Sequence, residues 1–179
     1  MVARSDSRRR CDAARRTLLL KSVLFLCTGN SARSILAEAY LNHAGRGRFR
    51  AYSAGSKPTG RVNPFALELL HRRGIAAGET RSKSWDEFAA PGAAKLDFIF
   101  TVCDSAAAEP CPVWPGHPAS AHWGTPDPAA VQGSDEDKRR AFERALTRLA
   151  RRIDAFMGLP VDELEPAVLK ERLNEIGRL

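Results

Sequence analysis

From Lys21 onward the apolar positions switch between two periods. Lys21–Cys27 (KSVLFLC) is a near-continuous apolar run, the pattern of a strand buried on both faces. Ser34–His43 then places Ile35, Leu36, Ala39 and Tyr40 at helical spacing. Arg50–Ala54 reads as a short strand ended by Gly55. Pro64 suits the first turn of a helix that passes through Phe65, Leu67, Leu69 and Leu70 and stops at Gly74. Ser84–Phe88 predicts a short helix with a serine cap, Leu96–Cys103 (LDFIFTVC) another buried strand, and Ala119–Trp123 a fourth strand. A long helix follows from about Ser134 to Met157. Phe142, Ala145, Leu146, Leu149, Ile153 and Phe156 form its apolar stripe, Ser134 and Asp137 sit at its start, and Gly158 and Pro160 stop it. Val161–Leu179 is helical by composition.

Strand–helix alternation implies an α/β fold, a parallel sheet with helices on both faces and chemistry at the carboxyl ends of the strands. The expected organisation is one domain over residues 21–158, a C-terminal helical tail over 159–179, and a basic head over 1–20 read as a disordered extension. No internal repeat is evident.

Charge sharpens this division. The net charge is +7, of which residues 1–21 carry +5 and the remaining 158 only +2. The body is therefore not basic, and nucleic-acid binding gets no support. No apolar run approaches the roughly 20 residues of a membrane span. No secretory signal precedes the four cysteines, Cys11, Cys27, Cys103 and Cys111, so they are expected as thiols in a reducing cytosol. A cytoplasmic monomer is the expectation.

The candidate chemistry begins where the first strand ends. Cys27-Thr28-Gly29-Asn30-Ser31-Ala32-Arg33-Ser34 joins a buried strand to a helix in the form Cys, five residues, Arg. Such a loop can turn its backbone N–H groups inward as an anion nest at a helix N-terminus. Gly29 and Asn30 are residue types that tolerate positive φ. Arg33 can clamp a tetrahedral oxyanion with two prongs. The nest, the helix and Arg33 all favour a Cys27 thiolate, so a lowered pKa is expected, with Ser34 donating to the sulfur. Phosphoryl transfer through cysteine, or thiolate attack on a phosphate look-alike, has these needs. The Gly-Lys-Ser/Thr ending of a nucleotide-binding loop is missing.

Asp127 stands between Pro126 and Pro128, where a carboxylic acid can protonate a leaving oxygen, though Pro-Asp-Pro is also ordinary turn chemistry. Cys103 closes the third strand, and Cys111 follows after seven residues. Inert packing, a metal site with His117 and His122, or a redox relay would each use these thiols. The spacing matches no metal-ligand pattern, so no metal is expected. The small residues between Cys103 and Cys111 suit a segment that rearranges.

Taken together, Cys27–Ser34 (CTGNSARS), Tyr52-Ser53-Ala54-Gly55, Thr101–Asp104 (TVCD), Cys111-Pro112, and His122-Trp123-Gly124 with Asp127-Pro128 resemble arsenate reductases built on the low-molecular-weight protein-tyrosine-phosphatase fold. The resemblance spans about residues 21–157. It implies a three-layer fold around a four-stranded parallel sheet. It also implies that Cys27 attacks arsenic(V) held by the Thr28–Ser34 loop, with Arg33 clamping the oxyanion and Asp127 protonating the departing hydroxide. Cys103 would attack the arsenic adduct to leave a Cys27–Cys103 disulfide. Cys111 would take over to form Cys103–Cys111, and thioredoxin would reduce that bridge. In the alternative, glutathione, mycothiol or glutaredoxin resolves the adduct and Cys111 is a bystander. No bound cofactor is implied. Some members hold potassium near the loop, through positions that map to Asn30, Glu38 and Ser53.

Two departures stand out. Ala32 occupies a position where many relatives carry a second loop cysteine, and the Cys103–Cys111 gap is one residue longer than in well-described relays. The competing function is a phosphotyrosine or small-phosphomonoester phosphatase using the same Cys27, Arg33 and Asp127. That branch commonly has aromatic residues after the Asp-Pro pair, where this chain has Ala129-Ala130. A non-catalytic binding module would be signalled by a lost nucleophile or clamp, and both are present.

Overall fold

The computed structural model describes residues 20–110 and 112–179. Four strands, β1 (Lys21–Cys27), β2 (Phe49–Gly55), β3 (Phe98–Thr101) and β4 (Ala119–His122), form one parallel sheet in the order β2-β1-β3-β4. The helices are α1 (Arg33–Ala44), α2 (Pro64–Arg72), α3 (Asp86–Ala89), α4 (Asp104–Ala108), α5 (Asp135–Met157) and α6 (Pro166–Gly177). The expected α/β architecture is thus observed, including the C-terminal helix. Among the described residues no helix is long and apolar enough to cross a membrane.

β1 explains the layering. Its side chains alternate between two cores because successive residues of a strand face opposite ways. Val23, Phe25 and Cys27 join the larger core with Leu36, Leu70, Leu149 and Phe156, whereas Leu24 and Leu26 join a smaller one with Trp85, Phe88 and Leu96. Phe100 and Trp123 stack at 3.7 Å in the larger core, with Phe156 edge-on to both. α6 covers β4, the edge strand: Gly177 lies so close to His122 that a Cβ would meet its carbonyl oxygen at 2.3 Å. The Trp123 indole N–H also donates to Leu173 O at 3.0 Å, satisfying a buried polar handle.

Boundaries differ at several places. β3 is shorter than Leu96–Cys103 because the ladder to β4 ends at Thr101↔His122, although Val102 N–H still donates to Leu26 O at 2.8 Å. The α3 helix begins two residues after Ser84, whose hydroxyl oxygen accepts the Asp86 N–H at 3.2 Å and donates to the Asp86 carboxylate at 2.8 Å. The stretch after Cys103, expected only as a small-residue segment suited to rearrange, forms α4. At α5 the Ser134–Asp137 pair is a reciprocal capping box.

Candidate active site

Cys27 ends β1, and the loop to α1 wraps around its sulfur. The carbonyls of Thr28, Gly29 and Ser31 point outward and accept N–H bonds from Lys57 (3.0 Å), Thr59 (3.0 Å) and Asn63 (2.8 Å). In a trans peptide the N–H points opposite to the C=O, so the N–H groups of Gly29, Asn30 and Ala32 point inward. Asn30 N–H indeed donates to Cys27 Sγ at 3.1 Å. Asn30 supplies the left-handed residue, at φ 42°; Gly29, expected to share that role, has no positive φ. The loop presses on the end of β2, where any Cβ on Gly55 would lie 2.4 Å from Thr28 O. Only glycine fits there.

A buried hydrogen-bond chain sets the loop's polarity. The Asn30 amide nitrogen donates to Ser34 Oγ and to Ser53 Oγ, both at 2.9 Å, and Asn30 Oδ1 accepts from Lys83 N–H at 2.8 Å. Ser34 Oγ already accepts from Asn30, so its own proton is free to point at Cys27 Sγ, 2.9 Å away. Ser53 in turn donates to the Glu38 carboxylate, which faces the Lys83 ammonium at 3.8 Å. Asn30, Glu38 and Ser53, the positions mapped to a potassium site, therefore do converge. The positive charge facing Glu38 comes from Lys83, a residue the sequence reading did not single out.

The expected lowering of the Cys27 pKa is not found. Burial pushes the thiol up, because the sulfur lies in a site only 3% exposed and the charged form loses hydration. Ser34 and Asn30 pull it down, and a charge on Cys103 would push it up again. The Arg33 guanidinium donates to Thr125 O at 2.9 Å and pairs with Asp127 at 3.0 Å. Asp127 also accepts the Ala129 N–H at 3.1 Å, capping a turn of 3-10 helix over Pro128–Ala130. Asp127 is thus both turn residue and neighbour of the clamp.

Cys103 lies beside Cys27. Extending the β1–β3 register past Leu26↔Thr101 puts Cys103 one residue beyond the position opposite Cys27. Its sulfur is 3.7 Å from Thr28 Oγ1 and accepts the Ala106 N–H at 3.4 Å as the cap of α4. Both thiols are free and buried. Cys11 and Cys111 lie outside the described residues.

The sequence reading missed Arg152, which is 3% exposed. Its Nη1 faces Trp123 O at 2.8 Å, Gly124 O at 3.0 Å and Thr125 Oγ1 at 3.2 Å, pinning the segment that leads to Asp127. Its signal was legible: a charged residue inside the apolar stripe of α5, between Leu149 and Ile153.

Residues 22–172 match the family model described as low molecular weight phosphotyrosine protein phosphatase. The chain belongs to this family. Among its relatives, the arsenate reductase of Halalkalibacterium halodurans is 37% identical over 136 residues, covering 76% of this chain and 94% of the relative. A crystal structure of the arsenate reductase from Archaeoglobus fulgidus superposes with TM-score 0.59 at 30% identity, over 76% of this chain and 99% of that one. The thioredoxin-dependent arsenate reductase of Corynebacterium glutamicum superposes with TM-score 0.52 at 25% identity, over 73% of this chain and 58% of that one. The resemblance drawn from the motifs is borne out.

Proposed function

We propose that this phosphatase-family protein reduces arsenate to arsenite, with Cys27 as nucleophile and Cys103 as the thiol that completes the two-electron transfer. One observation carries the reading: two buried thiols, Cys27 at the end of β1 and Cys103 two residues past the end of the neighbouring β3, stand beside an inward-turned anion loop. Arsenate binds against the N–H groups of the Thr28–Ser34 loop, and Arg33 exchanges its bond to Asp127 for the oxyanion. Cys27 passes its proton to the incoming arsenate dianion, and the resulting thiolate, held by Ser34 and Asn30, forms a sulfur–arsenic(V) bond. One hydroxide leaves arsenic and takes a proton from Asp127, departing as water. The Cys103 thiolate then attacks the Cys27 sulfur. The sulfur–arsenic bond breaks, its electron pair reduces arsenic(V) to arsenic(III), and arsenite leaves behind a Cys27–Cys103 disulfide. Cys111 exchanges into that bridge to form Cys103–Cys111 and frees Cys27. A dithiol carrier such as thioredoxin restores both thiols, with glutathione, glutaredoxin or mycothiol as the other donor classes. The family membership and the arsenate reductases among its relatives support this reading.

Phosphate monoesters fit the same loop, so slow hydrolysis of p-nitrophenyl phosphate is expected, with water in place of Cys103 in the second step. Two variants separate the activities. Cys103→Ser should abolish arsenate turnover and spare p-nitrophenyl phosphate hydrolysis, while Cys27→Ser abolishes both. Full arsenate turnover by Cys103→Ser would refute the relay.

A further inference from the structure

Behind the Thr125–Pro128 segment, α5 forms one wall of a groove of about 680 Å³. Arg140, Arg144, Arg148 and Arg151 line it at steps of four, four and three residues, which places them on one side of the helix. All four are exposed. Arg140 is engaged by Asp137 at 2.8 Å, and Glu143, also in the groove, is taken by Arg72 and Arg73. Arg144, Arg148 and Arg151 have no carboxylate within salt-bridge distance among the described residues. Arg148 also adds its charge to the buried Arg152, whose guanidinium is pushed down by burial and by that neighbour. The floor is apolar, with Pro128, Val131, Ala141 and Ala145. The groove thus pairs an unbalanced positive stripe with a surface suited to exclude water.

Its position ties it to the candidate active site. Thr125 lines the groove, accepts from Arg33, and donates its N–H to Val102 O at 3.0 Å, one residue before Cys103. Through Thr125 the groove therefore adjoins the clamp arginine and the backbone that leads to Cys103, although neither thiol lines it. The stripe from Arg140 to Arg151 runs about 16 Å along the helix. An extended tripeptide spans only about 10 Å. The length favours a protein face over a small anionic thiol.

We infer that this groove docks the acidic face of the protein thiol carrier that resets the relay. The inference rests on the proposed arsenate reduction. Complementary charge of this kind acts mainly on encounter and on apparent affinity, and salt screens it.

The test is NADPH-coupled arsenate reduction by the full-length protein, with an acidic thioredoxin and its reductase as the probe system. The doubly reversed variant Arg144→Glu/Arg148→Glu is compared with wild type, with Arg148→Ala/Arg151→Ala as a milder second variant. The KM for thioredoxin should rise at least tenfold in the reversal variant and severalfold in the milder one, with kcat nearly unchanged. Wild-type KM should climb between 20 and 300 mM salt, while the reversal variant's stays flat. Hydrolysis of p-nitrophenyl phosphate, and the arsenate-dependent loss of thiols in a single turnover without carrier, should match wild type in both. An unchanged thioredoxin KM in both variants overturns the docking inference. So does an equal loss with dithiothreitol as reductant, or a wild type that turns over with small thiols and ignores the protein carrier. Wild type that loses no thiol on addition of arsenate refutes the arsenate-reduction reading itself, a result separate from these.

Discussion

Replacing Asn30 with Ala removes the centre of the chain that orients the Cys27 sulfur. Three side-chain bonds disappear, to Ser34, Ser53 and Lys83, all from a residue with no exposure. At roughly 1 kcal/mol net per bond this costs about 3 kcal/mol, and the stranded Lys83 N–H adds to it. Alanine at φ 42° is also strained by about 1 kcal/mol, bringing the total to about 4 kcal/mol. Most domains have about 5–15 kcal/mol in hand, so the variant should fold with a much lower urea midpoint. Chemistry shifts as well. With no amide donor, the Ser34 hydroxyl is free to turn its proton away, and one of the forces lowering the Cys27 pKa weakens. The midpoint of iodoacetamide alkylation at Cys27, already above an ordinary thiol's, should therefore move further up in pH. Asn30→Asp is the discriminating control, since it keeps an acceptor for Lys83 and loses both donated bonds. A cost below about 1 kcal/mol for Asn30→Ala, with an unmoved alkylation profile, would refute the argument.

Two further outcomes follow from contacts elsewhere. Arg152→Met should cost about 2–3 kcal/mol in urea unfolding and slow p-nitrophenyl phosphate hydrolysis about tenfold, because Trp123–Thr125 lose the cation that pins them; stability lost without any change in rate would contradict the positioning role. Tyr40 donates to both oxygens of the Asp154 carboxylate, at 2.9 and 3.1 Å, and burial together with that carboxylate pushes its pKa up to about 12. The folded value lies above the ordinary value of about 10, so this stabilisation is complete below pH 10 and fades as pH rises toward 12. Urea midpoints between pH 9 and 12 should fall less steeply for Tyr40→Phe than for wild type.

The sheet was legible because β1 and β3 are apolar enough to be buried on both faces, and α2 between them carries Pro64 in its first turn and Gly74 at its stop. The sulfur, its loop and the aspartate were legible because loop chemistry is local in sequence. What could not be read is what distance in sequence hides. Lys83 reaches Asn30 across 53 positions, and no local pattern announces the bond. The Cys27 pKa followed the same limit: the loop's donors were visible, but the depth of burial was not. α4 was legible and overlooked, since Ala106, Ala107 and Ala108 are the strongest helix formers. Arg152 was likewise readable as a charge in an apolar stripe.

The central claim is that the Cys27 and Cys103 sulfurs exchange one bond while arsenic takes up two electrons. Mixing Cys111→Ser protein with one equivalent of arsenate, with no reductant, and mapping the peptides by mass spectrometry tests it most directly. The account predicts one arsenite released per protein and a disulfide joining the Cys27 and Cys103 peptides. Arsenite release with both of those cysteines still reduced, or no arsenite at all, would contradict it.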